Sequence, residues 1–210
     1  MTRSTLLSLF SRALPLAAFS VCAIGLTSCA VDSEVLGSAS VDSVSVDPES
    51  GWSPSVVVGR EPEECVTYRA RLQGEYLVVE AKHGPGWHTY ALDNEIRAEE
   101  KLAGQESLGL ELPTSFDVRG AKVVGSWYQT EPADLSEPDI EWFTWGFSDT
   151  ATFAAKVGEV GTAPIVIGVR GQVCNAETCR DIEIDLRLDP AIDRSSLDLD
   201  LQAFVPIRTR

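Results

Sequence analysis

The stretch GQVCNAETCRDIEIDLRL, Gly171 to Leu188, decides how the chain is read. Its second half alternates strictly, with Ile182, Ile184, Leu186 and Leu188 on one side and Glu183, Asp185 and Arg187 on the other, the pattern of a strand with one buried face. Its first half ends a second apolar run, PIVIGVRGQVC from Pro164, so that Cys174 closes one strand and Cys179 opens the next across Asn-Ala-Glu-Thr. Opposed residues at the base of such a hairpin have Cβ atoms about 4.5–5.5 Å apart, near enough for a disulfide. Three readings of the pair follow. A structural bond closing so small a loop contributes only about 2 kcal/mol in the chain-entropy model. A redox pair gains from the same placement, because a bond at a loop end is open to an attacking thiolate. A zinc clip needs a further pair of ligands, and Cys65, His83 and His88 are the only other soft candidates, all distant in sequence.

Working outward, short strand-like runs recur between Pro, Gly and Asp: CVTYRARL from Cys65, EYLVVEAK from Glu75, ESLGLELP from Glu106, KVVGSWY from Lys122, EWFTWGF from Glu141 and ATFAAKV from Ala151. Gln73-Gly74 marks a hairpin turn between the first two. Only LDNEIRAEEKLAG, Leu92 to Gly104, has a helical pattern. Some seven to nine strands with one short helix predict an all-β fold, an antiparallel β-sandwich over residues 63–190. The tail, 191–210, is expected to add an edge segment or to cross back over the sandwich.

The N-terminus sets the compartment in which the cysteines are read. Arg3 and Arg12 precede the apolar run ALPLAAFSVCAIGL, which is too short to span a membrane and ends in LTSCA, Leu26 to Ala30. That ending resembles the lipobox of bacterial lipoproteins, which implies a signal peptide over 1–28 and acylation of Cys29. Ala30 after the acylated cysteine resembles lipoproteins sorted onward to an outer membrane. Residues 29–62, rich in Ser, Asp and Val, read as a flexible tether reaching about 30 Å. The formal net charge of −15, made more acidic by loss of a leader whose only charges are two arginines, argues against nucleic acid and anionic lipid as partners. Of the five cysteines, Cys22 leaves with the leader and Cys29 takes lipid, so Cys65 is the odd thiol beside Cys174 and Cys179.

GWHTY (Gly86 to Tyr90), LPTSFDV (Leu112 to Val118) and VRGQVCNAETCRD (Val169 to Asp181) together resemble the N-terminal, immunoglobulin-like domain of the thiol:disulfide interchange protein DsbD, over roughly Glu64 to Pro190. The resemblance implies that Cys174 and Cys179 cycle between dithiol and disulfide and pass electrons between thioredoxin-like or membrane-embedded oxidoreductases, with no cofactor. It also implies that Cys179 joins the partner, and that a cap loop with an aromatic side chain shields the pair. The counterpart of that cap is sought from Trp127 and Tyr128 through TEPADLSEPDIEW, while Trp87, His88 and Tyr90 would form a further wall. The plainer expectation for these aromatics is core packing, with His88 bonded to backbone. Two features depart from the family: Arg180-Asp181 follow the second cysteine where proline is common, and neither a transmembrane electron-transfer domain nor a thioredoxin domain accompanies the module. The expectation is a tethered, extracytoplasmic exchange module; its rival is a lipid-anchored β-sandwich binding or scaffolding domain with a purely structural disulfide.

Overall fold

The computed structural model describes residues 51–60, 62–105, 111–195 and 197–210. All belong to the unit Asp42–Arg210, and the expected signal peptide and Cys29 lie outside the described residues. The strands in chain order are β1 (Val56–Arg60), β2 (Glu63–Gln73), β3 (Tyr76–His83) and β4 (His88–Tyr90), then helix α1 (Asn94–Leu102). After it come β5 (Ser115–Arg119), β6 (Ala121–Gln129), β7 (Ala133–Asp134), β8 (Trp145–Phe147) and β9 (Thr150–Val160). The chain closes with β10 (Ile165–Cys174), β11 (Cys179–Leu188), β12 (Arg194–Ser195) and β13 (Val205–Pro206).

These strands form the expected antiparallel sandwich. One sheet has the order β1-β2-β3-β9-β6-β13, with the short β12 lying parallel to β2. The other has the order β11-β10-β4-β8-β7, with β5 also pairing β10. The alternation read in Cys179–Leu188 holds: Ile182, Leu186 and Leu188 are buried, Ile184 is half-buried, and Asp181, Glu183, Asp185 and Arg187 are exposed. They meet Cys65, Tyr68, Ala70, Leu72, Val79 and Phe153 of the opposite sheet in one core with Ile165, Ile167, Val169 and Val173. Phe153 is its aromatic hub, edge-on to Phe116 at 5.1 Å and to Phe147 at 5.4 Å between ring centroids. The β2–β3 hairpin turns at Gly74, whose φ of +58° explains the glycine.

Three segments depart from the sequence reading. Residues 51–60, expected within the tether, join the sandwich. Trp52 is buried with Val78 and Ala154, under the guanidinium groups of Arg69 and Arg71, 4.5 and 4.1 Å from its ring centre. Ser53 pairs with Ala70 through both its backbone N–H and its hydroxyl, and β1 then extends the sheet beside β2. One large aromatic among Ser, Asp and Val supplies enough buried surface to order a stretch that composition marks as loose. In EWFTWGF only Trp145–Phe147 is a strand, and Trp142 merely bridges to Glu137. The strand expected over 106–113 falls largely on residues outside the described set, and Glu111 to Pro113 are not a strand.

The expected helix forms as α1, and its entry carries a buried polar cluster. Asp93 Oδ1 accepts hydrogen bonds from Arg97 Nε at 2.9 Å and Gln129 Nε2 at 2.7 Å, and Asp93 Oδ2 accepts one from the Arg208 backbone N–H at 2.9 Å. Gln129 in turn accepts the Leu92 N–H at 3.0 Å. The C-terminal segment is thereby pinned beside α1, with β13 paired to β6. Among the described residues no helix is long and apolar enough to cross a membrane.

Candidate functional site

The site grows from the pleat of β10 and β11. Residues of those strands alternate between core and outer face, and Val173 and Ile182 take the core. Cys174 and Cys179 therefore face outward, opposite one another as the last pair of the ladder, with Cα atoms 4.0 Å apart and a disulfide between them. The loop that joins them is closed by Asn175, whose side-chain oxygen accepts the N–H groups of Glu177 and Thr178, each at 2.9 Å. On the other flank of β10, His88 of β4 pairs with Cys174 and Thr89 with Val173. The outer face of the sheet thus carries Cys179, Cys174 and His88 side by side on three strands.

A cleft of about 410 Å³ opens over this row, lined by His88, Tyr90, Glu111, Leu135, Glu137, Trp142, Ser148, Cys174, Asn175, Ala176 and Cys179. Its roof is the segment from β7 to Trp142, which turns through a short 3-10 segment, Pro138–Ile140. The Trp142 indole N–H donates to the Glu111 carboxylate and ties the roof to the opposite wall. The two cysteines are unequal beneath it: Cys174 is 2% exposed, whereas Cys179 is exposed.

The gap that admits Glu111 to the site comes from β10 itself. Its edge is shared, with β5 pairing Val166–Arg170 and β4 pairing Val173–Cys174. At the handover Gly171 has φ +149°, and a Cβ there would lie 3.1 Å from both the Pro113 oxygen and Thr114 Cα. Absence of a side chain lets the chain pass close between β4 and β5 and carry Glu111 to the rim.

Electrostatics in the cleft are set by burial and one carboxylate. Burial pushes the His88 pKa down, against an opposing pull from Glu111. Burial, reinforced by Glu111, pushes the Tyr90 phenol up to about 12. His88 Nε2 lies 3.3 Å from the Tyr90 hydroxyl, with the rings edge to face. The backbone bond expected for His88 belongs instead to His83, whose Nδ1 donates to the Asp149 carbonyl while Nε2 accepts from Thr89 Oγ1, and whose pKa is also lowered by burial.

The sequence-predicted residues divide. Cys174, Cys179, His88 and Tyr90 come together in the cleft. Trp87 faces the core, buried, with the Arg180 guanidinium 5.5 Å from its ring centre. Trp127 and Tyr128 also lie away from the cysteines. Trp127 stacks on Phe116 at 4.7 Å, and Tyr128 packs against the Trp52 cluster. Both sit on β6, before the chain leaves the sheet; the roof is made by the later part of the segment in which the cap was sought, through Leu135, Glu137 and Trp142. Glu111 was not singled out by sequence, and its only signal is its place just ahead of LPTSFDV. Arg180, next to Cys179 in the chain, points to the core side and pairs with Glu63 at 2.6 Å.

No family model matches the chain, and no curated protein matches it. Among solved structures it is similar to the N-terminal periplasmic domain of ScsB from Proteus mirabilis, with 16% identity and a TM-score of 0.46 over 68% of this chain and 51% of that one. The chain thus spans about half the length of that ScsB chain. It is also similar to the DsbD N-terminal domain of Neisseria meningitidis in its reduced form, with 11% identity and a TM-score of 0.39 over 69% of this chain and 90% of that one. A third similar structure is the complex between the DsbD N-terminal and PilB N-terminal domains from Neisseria meningitidis, with 11% identity and a TM-score of 0.42, covering 61% and 85%.

Proposed function

We propose that the protein is an extracytoplasmic thiol:disulfide exchange module, tethered to a bacterial membrane through an acylated Cys29, that passes electrons through Cys174 and Cys179. The observation that carries this reading is the inequality of the two cysteines at the floor of an open cleft: Cys179 exposed, Cys174 2% exposed. Exchange requires in-line attack on one sulfur while the other leaves. Cys179 is the sulfur a partner thiolate reaches, and Cys174 is the leaving group. A bond whose only task was to staple a hairpin would need neither a cleft over it nor a roof latched across it. The motif resemblance of VRGQVCNAETCRD points to the same pair and the same order of attack. Partners are thioredoxin-like or membrane thiol oxidoreductases, which present a small exposed thiolate to the cleft; the compartment is the periplasm, where disulfides persist.

Trapping tests the reading. Cys174→Ser should accumulate a mixed disulfide through Cys179 with a thioredoxin-like partner, and Cys179→Ser should accumulate little. Capture by neither variant, with both folded, makes the pair a staple. A reduction potential below about −300 mV in glutathione buffers would count the same way.

A further inference from the structure

We propose that His88 is the general base and acid for the Cys174 sulfur. The inference rests on the exchange reading above and assigns the proton that the reading leaves without a carrier.

Cys174 lies between two register partners, Cys179 on β11 and His88 on β4, and all three line the same cleft. Directly opposed residues on one face hold their Cβ atoms about 4.5–5.5 Å apart, so the side chains of His88 and Cys174 start from adjacent positions at the floor of the cleft that both line. Cys174 is 2% exposed, so a thiolate formed there has little water to solvate it. The ionisable groups that face His88 are Tyr90 on its own strand, Glu111 and Glu137 from the walls of the cleft, and His83 from the core side. Glu111 already accepts the Trp142 indole N–H, and no cation among these groups offers Cys174 a counter-charge. Arg180, the nearest cation in sequence, is turned to the core side and paired with Glu63. Among the described residues the hydrogen-bond partner of the His88 imidazole is the Tyr90 hydroxyl, at 3.3 Å.

In the reduced chain, the Cys179 thiolate attacks a partner disulfide, forms a Cys179–partner bond and releases one partner sulfur as thiolate. Resolution needs the second thiol. His88 takes the proton from Cys174 Sγ, and the thiolate attacks Cys179 Sγ. The Cys179–partner bond breaks, and its electron pair leaves with the partner sulfur. Two electrons have passed from the dithiol to the partner disulfide, and the imidazolium returns its proton to solvent or to the released thiolate. In reverse, a partner thiolate attacks Cys179 and the imidazolium protonates departing Cys174. Burial keeps the resting imidazole neutral and ready to accept, while the Glu111 carboxylate favours the imidazolium once it forms.

The test uses the full chain with Cys22, Cys29 and Cys65 replaced by Ala, reduced and mixed with one equivalent of DTNB. The first release of thionitrobenzoate reports attack by Cys179; the second, independent of concentration, reports resolution by Cys174. In the parent chain the second rate should rise with pH and level off above the imidazole titration. His88→Gln should slow the second release about 100-fold at pH 7, far more than the first, and make it climb in proportion to hydroxide. His88→Ala should regain rate with added imidazole. A parent profile proportional to hydroxide overturns the proposal without any variant. So does a His88→Gln rate within twofold of the parent, or one slowed equally at every pH, which would mark a packing role. Because DTNB replaces the biological partner, failure of the exchange reading would appear instead as absence of trapped partner while this second release stayed intact.

Discussion

Two polar clusters, one around Asp93 at the entry of α1 and one around Cys174 at the end of β10, are built on opposite terms. Around Asp93 the donors converge: both carboxylate oxygens are engaged, by Arg97, Gln129 and the Arg208 backbone, and Gln129 turns its own oxygen to Leu92. Around Cys174 the groups stand side by side with few mutual bonds: an imidazole at 3.3 Å from a phenol, a disulfide, and a carboxylate tied outward to the roof. The first arrangement fixes one charge state and so holds the fold; the second leaves protons and electrons free to move and so suits chemistry.

The largest effect expected from breaking this contrast is at Asp93. Burial alone would push its pKa up, but the bonds from Arg97, the Arg208 backbone and Gln129 overrule burial and hold it below the usual carboxylate range. Asp93→Ala leaves Arg97 and Gln129 buried without their acceptor and should cost about 3–5 kcal/mol in urea unfolding. A depressed folded pKa contributes stability above the unfolded value, near 3.9, and loses it as pH falls through the folded one. The urea midpoint should therefore drop below about pH 4 in the parent, and Asp93→Asn should flatten that drop. A loss under about 1 kcal/mol for Asp93→Ala would erase the distinction between the clusters.

Gly171 comes next, because it joins fold to site. Alanine there meets the Pro113 oxygen and Thr114 Cα at 3.1 Å in a backbone conformation that L-residues avoid, at a cost of up to about 3 kcal/mol. The distinctive outcome is local: displacing 113–114 moves Glu111 and releases the Trp142 latch. Tryptophan fluorescence of Gly171→Ala should shift to the red, and DTNB should reach Cys179 faster in the reduced variant. An unaltered Trp142 environment with full loss of stability would separate the glycine from the cleft.

How much of this was legible in the sequence follows the same line. Alternation in Ile182–Leu188 announced a half-buried strand because the period of a strand is fixed by its backbone, and that face is buried as read. The cysteine pair was legible for the same reason, since a short hairpin loop sets its own register. Trp52 was not, because its burial depends on Arg69 and Arg71 from a strand that composition cannot place beside it. Nor was Glu111, which reaches the cleft only through a gap in a distant strand. Trp127 misled because an aromatic on a strand before the roof looks, in one dimension, like an aromatic within it.

Removing the disulfide should matter less than either substitution. Closing so short a loop contributes about 2 kcal/mol, and the ladder from Ile165–Leu188 to Val173–Arg180 persists without it. Unfolding with and without dithiothreitol should differ by that amount or less. A difference above about 4 kcal/mol would place the pair with the Asp93 cluster, as part of the scaffold.

The smallest effect is expected at Cys65, the one free cysteine among the described residues. It is fully buried on β2, packed among core residues, with its sulfur weakly directed at the Glu63 carbonyl at 3.8 Å. Burial pushes its thiol pKa up; Arg180 pulls it back and Glu63 adds to the rise. A thiol so placed is a poor nucleophile whatever the state of the cleft, because both access and ionisation oppose it. In the native oxidised chain Cys65 should be alkylated by iodoacetamide only as fast as the fold opens, and Cys65→Ala should cost about 1 kcal/mol, the loss of one small buried group. Exchange kinetics at Cys179 should not change in that variant. If Cys65 instead reacts as quickly as the reduced cleft cysteines, or if peptide mapping links it to Cys174 or Cys179, then the boundary between an inert core and a reactive outer face does not run through β11, and the pairing on which the exchange reading depends is lost.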